Sequence, residues 1–130
     1  MKTVAEKLLI KPGAALWVSP QEHLDRLGPL PGGVEPAAEL GMATVALVFG
    51  RDAQSVRDLL TAHRDELRLP AVLWICYPKG NKADVNRDTL WPILSEYGFR
   101  PISQVAVDDI WSALRFRPLK PGEAQFTGGK

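Results

Sequence analysis

The sequence is short of the residues from which metal and disulfide sites are made. It has one cysteine, Cys76, and two histidines, His23 and His63. A lone cysteine closes no internal disulfide, and no His/Cys/Asp group has metal-ligand spacing. Long apolar runs are missing too. The longest is Ala71–Tyr77, AVLWICY, well below the roughly 18 residues that span a bilayer. Near the N-terminus Glu6, Lys7 and Lys11 interrupt any signal-peptide core, so a cytoplasmic protein without membrane attachment is expected. Charge imbalance is absent as well: 16 basic against 15 acidic side chains, a net charge of +1. No global field draws the chain to nucleic acid, which is therefore not an expected partner, and only a local basic patch remains open.

The most informative absence is a glycine fingerprint. There are 11 glycines, but none forms G-x-G-x-x-G behind the first apolar segment, where the chain reads VSPQEH. Pro20 there has no N–H, and Ser19 carries a Cβ where a cofactor needs bare backbone. This argues against S-adenosylmethionine and nicotinamide, and no cofactor is expected. A phosphate-binding GxxxxGK[ST] and a G-x-S-x-G elbow are also missing.

What is present has the order of an α/β domain. Ala14–Val18, Thr44–Phe49 and Ala71–Tyr77 are apolar runs suited to strands buried on both faces. Helical patterns lie between and after them. Ser19-Pro20-Gln21-Glu22 resembles a capped helix start running to Gly28. Asp52 precedes the stripe Val56, Leu59, Leu60, Leu67, and Leu90, Ile93, Leu94 and Tyr97 end at Gly98. Pro92 is awkward there: the helix starts near Asp88 or is kinked. The segment Leu30–Gly41 reads as loop with one short strand near Val34. Ile102–Val107 and Ser112–Phe116 are too close for a parallel crossover and predict an antiparallel hairpin. The expected fold is a three-layer α/β domain with a mostly parallel sheet and a C-terminal antiparallel hairpin. It spans residues 1–118, and residues 119–130 form a flexible tail. That ending is the one found in the class I methyltransferase version of the Rossmann fold, here shortened by one or two early units.

Three motifs carry a narrower resemblance: Lys11-Pro12-Gly13, YPKG at 77–80, and WSALRF at 111–116. The chain to about Pro118 resembles a family of small bacterial proteins whose shared domain has no assigned reaction. The resemblance implies a compact, reduced methyltransferase-like domain and brings no activity with it.

In open parallel sheets, ligands bind beyond the carboxyl ends of the strands. There the positive feature is the loop Pro78–Lys82 followed by a helix start. Lys79, Gly80, Asn81, Lys82, Asn86 and Arg87 suit a phosphate or carboxylate, with Arg115 as a further cation. The plainer reading is a solvated turn shaped by Gly80. Arg115 and Arg117 share one strand face and are candidates to pair with Asp108 and Asp109, or simply to blunt an edge strand. His23 and His63 read as solvated helix residues, the four tryptophans as packing anchors, Cys76 as buried, and Ser112 as a nucleophile only with a base nearby. Asp84 and Asp88 are four apart, as a metal or acid/base pair requires, or are a cap and a first-turn acid. Glu35 and Glu39 are weak stand-ins for an acid on a second strand. With no complete catalytic set, the expectation is a non-catalytic module for an anionic small ligand or protein partner. Alternatives are a divergent transferase-type enzyme, or a self-associating protein pairing through its terminal hairpin.

Overall fold

A computed structural model describes residues 2–80 and 83–124. The strands are β1 (Ala15–Ser19), β2 (Glu35–Pro36), β3 (Val45–Phe49), β4 (Val72–Pro78), β5 (Phe99–Ala106) and β6 (Trp111–Pro118). The helices are α1 (Val4–Lys7), α2 (Ala53–Ala62) and α3 (Arg87–Ser95), with 3₁₀ turns at Gln21–Leu27, Leu40–Met42 and Arg64–Glu66. The six strands lie in the order β2-β1-β3-β4-β6-β5. Those from β2 to β4 are parallel, and β6 runs antiparallel to both β4 and β5. The architecture is the expected mixed α/β sheet with an antiparallel C-terminal pair.

All five residues of β3 and the first six of β4 are buried. Successive side chains alternate between faces. Ala46, Val48, Leu73, Ile75 and Tyr77 meet Val56, Leu60, Leu90 and Leu94 of α2 and α3 on one face. Val45, Leu47, Phe49, Trp74 and Cys76 meet Ala5, Leu8 and Leu27 on the other. Trp74 Nε1 donates to the Leu8 carbonyl at 2.9 Å, fastening the N-terminal segment over the second face.

The helix start expected at Ser19 is corrected, while the short strand near Val34 and the helix start near Asp88 lie about where they were expected. Ser19 closes β1 instead of capping a helix; the turn behind it is 3₁₀, with Pro20 at its cap position and no side-chain cap. The short strand is Glu35–Pro36. It pairs only with Ala15 and Leu16, leaving the outer edge of β1 beyond Leu16 without a strand. Helix α3 begins at Arg87 and holds Pro92 inside it. There the ring removes one intrahelical bond, while Leu90, Ile93 and Leu94 still bury the core-facing side. Gly50 is needed at the tight exit from β3. A Cβ there would lie 2.3 Å from Val56 Cγ2.

Register puts the two distinctive motifs side by side. Tyr77 faces Ser112, and Pro78 faces Trp111, on β4 and β6. The Lys79 N–H then donates to the Ile110 carbonyl at 2.8 Å. YPKG and WSALRF are two halves of one strand pair, so their spacing in sequence records an architectural constraint. Beyond β6, Leu119 N–H bonds the Gly98 carbonyl at 2.8 Å. The Glu123 carboxylate accepts from Arg100 at 3.0 Å and from Arg117 at 2.7 and 2.9 Å. Those arginines and the Lys120 amide hold Glu123 far below the ordinary glutamate range.

Candidate functional site

Strand order reverses between β1 and β3, and the crevice beyond their carboxyl ends is where such sheets bind ligands. In this chain that place is filled. A 3₁₀ helix has three residues per turn, so His23 and Arg26 lie on one side of it while Gln21 and Leu24 lie on another. The His23 ring stacks on Phe49, the last residue of β3, at 4.5 Å between centroids. It meets Trp111 edge-on at 5.2 Å, and Phe49 and Trp111 touch at 5.1 Å. Arg26 Nε donates to His23 Nδ1 at 2.8 Å, and its Nη1 pairs with Asp108 at 3.2 Å. Asp108 also accepts from the amides of Ile110 and Trp111, at 2.8 and 2.7 Å, which fixes the β5–β6 turn beneath the stack. Burial, and then the Arg26 charge, hold His23 below the ordinary imidazole range. With Nδ1 engaged as acceptor, the neutral ring carries its proton on Nε2. Neither histidine is simply solvated: His63 contacts the Trp17 ring edge-on at 5.3 Å and bonds Glu66 at 3.1 Å.

An open space lies one strand further out. A cavity of about 500 Å³ occupies the uncovered edge of β1 beyond the carboxyl end of β2. Leu16, Val18, Leu24 and Val34 supply apolar wall, Trp17 an aromatic ring, and Ala37 and Ala38 the rim. Gln21 and Glu35 are its amide and its carboxylate. Glu35 therefore sits on the second strand, not in a loop as its Pro/Gly-rich surroundings suggested.

The residues predicted for anion binding divide. Lys79, Gly80 and Asn86 belong to the β4–α3 connection and Arg87 is the first residue of α3; Asn81 and Lys82 lie outside the described residues. Gly80 has φ +77°, the left-handed turn for which glycine is suited. Two of the amides an anion would use at the start of α3 are engaged. Asn86 Oδ1 accepts from Asp88 and Thr89 N–H at 2.8 and 3.1 Å. At α2, Asp52 takes the Ser55 amide and Asp84 the Ala53 amide, both at 2.7 Å. Asp84 is thus a cap for α2, and Asp88 a first-turn acid of α3. Among the described residues no group of three or more His, Cys, Asp or Glu is placed to hold a metal. Arg115 stands apart from the loop. It pairs with Trp74, four residues or about 13 Å from Pro78, on the face opposite α3. Arg117 pairs with Glu123 and Asp108 with Arg26, so the expected Asp108–arginine pairing across the hairpin is replaced. Ser112 lies opposite Tyr77, on the α2–α3 face, and His23 lies on the other. The two do not form a nucleophile–base pair. Cys76 is buried, and burial pushes its thiol well above the ordinary range.

The aromatic stack escaped the sequence reading because the partners of His23 are distant in the chain. Residues 23 and 26 share a face in an α-helical or a 3₁₀ turn alike, but only the fold brings Phe49 and Trp111 to that face.

Sheet order and antiparallel ending together define a methyltransferase-like Rossmann fold. Solved structures agree. Sp1610 of Streptococcus pneumoniae, described as a candidate tRNA (m1A22) methyltransferase, superposes with a TM-score of 0.57 at 14% identity, covering 96% of this chain and 70% of its own. A protein of the NADB-Rossmann superfamily from Streptococcus agalactiae gives 0.57 at 12%, covering 98% and 71%. The m1A22 tRNA methyltransferase TrmK of B. subtilis gives 0.53 at 12%, covering 88% of this chain and 63% of that one. No protein-family model matches the chain, and no curated protein matches it by sequence. At these identities the likeness establishes the fold. It also overturns the expectation of a non-catalytic anion-binding or regulatory module, because the comparisons favour the transferase alternative.

One neighbouring structure contains S-adenosyl-L-methionine. At the switch point of this chain that cofactor does not fit. Pro20 offers no amide, and the crevice is occupied by His23, Phe49 and Trp111.

Proposed function

We propose that this chain is a divergent transferase-type enzyme on a reduced methyltransferase scaffold. Its ligand sits in the cavity at the β1–β2 edge and not at the switch point. The observation that carries the reading is the position of that cavity. It adjoins the carboxyl ends of β1 and β2, is mostly apolar, and holds only Gln21 and Glu35 as polar side chains among its lining residues. Small-molecule sites have this composition, with a few placed polar groups in an apolar wall. YPKG and WSALRF support membership of the family of small bacterial proteins that the chain resembles, as a cytoplasmic single domain over residues 1–118. No helix among the described residues is long and apolar enough to cross a membrane.

The test is a thermal-shift screen of group donors, S-adenosylmethionine, S-adenosylhomocysteine and adenosine among them, on the parent and on Ala38→Trp, which fills the rim. A ligand at a hundred times its Kd stabilises by about 2.7 kcal/mol, a shift of several degrees. The expected result is a donor that stabilises the parent and not Ala38→Trp, and whose labelled group passes to an acceptor. Transfer RNA, named in the descriptions of the S. pneumoniae and B. subtilis neighbours, is the first acceptor to try. A screen with no shift, or with shifts that Ala38→Trp leaves unchanged, overturns the reading.

A further inference from the structure

We infer that the cavity at the β1–β2 edge selects an organic cation: a flat or branched apolar body bearing one positive charge. This deepens the proposal above and rests on its reading of the cavity as a ligand site. The chemistry of the walls points one way. Among the lining residues the charged side chain is Glu35, the aromatic ring is Trp17, and no lysine, arginine or histidine is present. Among the described residues Glu35 is in none of the ion pairs, so its carboxylate is not already neutralised.

An anionic ligand would enter against the Glu35 charge with no cation to receive it. A cation gains both the carboxylate and the electron-rich face of an indole ring. The apolar walls supply affinity for the body of the molecule, and the charge supplies discrimination. Basic groups do occur nearby. Lys2 and Lys11 line a second cavity that shares Leu30 with the first, but there they stand with the Glu6 carboxylate and are not among the residues of the first. The cation preference therefore belongs to the first cavity, whose lining shares no residue with the Lys79 loop that suggested an anion from sequence.

Three probes of one shape and different charge test this: tryptamine, tryptophol and indole-3-acetate, positive, neutral and negative at pH 7. Binding is measured by isothermal calorimetry on the parent, Glu35→Gln and Ala38→Trp. The expected order on the parent is tryptamine, then tryptophol, then indole-3-acetate, with about tenfold between the extremes, as a half-exposed cation–π contact and carboxylate allow. Glu35→Gln should reduce that ratio to about twofold while leaving tryptophol unchanged, and Ala38→Trp should weaken all three. If indole-3-acetate binds as tightly as tryptamine, charge selection is wrong while the cavity remains a ligand site. If none of the three binds the parent, or Ala38→Trp binds them as the parent does, cavity and selection fail together.

Discussion

Two places along the carboxyl edge of the same sheet have opposite fates. At the switch point between β1 and β3, where related sheets keep an open crevice, His23, Phe49 and Trp111 pack into an aromatic stack locked by Arg26 and Asp108. One strand outward, β2 stops after two residues and leaves a cavity of about 500 Å³ on the edge of β1. The difference teaches that a filled switch point can stand beside open space on the same edge. The 3₁₀ turn after β1 carries His23 onto Phe49, while the two-residue β2 leaves the edge of β1 uncovered. Ligand binding would then move by the width of a strand.

The comparison is broken most severely at Phe49, whose ring contacts both His23 and Trp111. Phe49→Ala should cost about 3–5 kcal/mol, the range for truncating a buried phenylalanine, read by urea denaturation. The outer cavity should keep whatever ligand it binds. A loss below about 1 kcal/mol would mean that the stack is not what closes the crevice.

Acid should loosen the same place. Protonation of His23 must displace the Arg26 Nε donor, and burial already holds the ring below its ordinary value. The unfolded chain takes up the proton first. The stabilising contribution is therefore complete above about pH 6.5 and is lost as the pH falls below it. Parent protein should lose stability between pH 7.5 and 5 more steeply than His23→Phe, measured as denaturation midpoints across that range. The lowered carboxylates, Glu123 and Glu66 among them, change charge at lower pH and do not mask the effect. Equal slopes for the two proteins would remove His23 from the locking network.

The smallest change is expected at the open place. Ala38 is exposed on the cavity rim, so Ala38→Trp should leave stability within about 0.5 kcal/mol of the parent. A larger loss would show that the rim is part of the core and that the cavity is not free space.

Much of the fold was legible in the sequence, for reasons visible in particular elements. The runs at Thr44–Phe49 and Ala71–Tyr77 are apolar at every position because both faces of β3 and β4 are buried. Asp52, Asn86 and Gly98 mark helix ends by their capping chemistry or left-handed backbone. The candidate site was less legible. Lys79, Gly80 and Asn86 fall on the β4–α3 connection and Arg87 opens α3, but which amides were free could not be read, since Asn86 consumes two of them itself. Arg115 was drawn toward that loop, although antiparallel register carries it about 13 Å away.

What the sequence determined by itself is the pattern set by local chemistry: strands from continuous apolar runs, caps from Asp52 and Asn86, and a β1 exit with Pro20 in place of glycines. Only the tertiary structure decided what that missing fingerprint means. The pairing of β4 with β6 delivers Trp111 to the carboxyl edge, and the 3₁₀ turn delivers His23, from positions 88 residues apart in the chain. A crevice closed by two such distant side chains has no local signature. The cavity beside it exists because β2 ends early, which is a fact about pairing rather than about any residue.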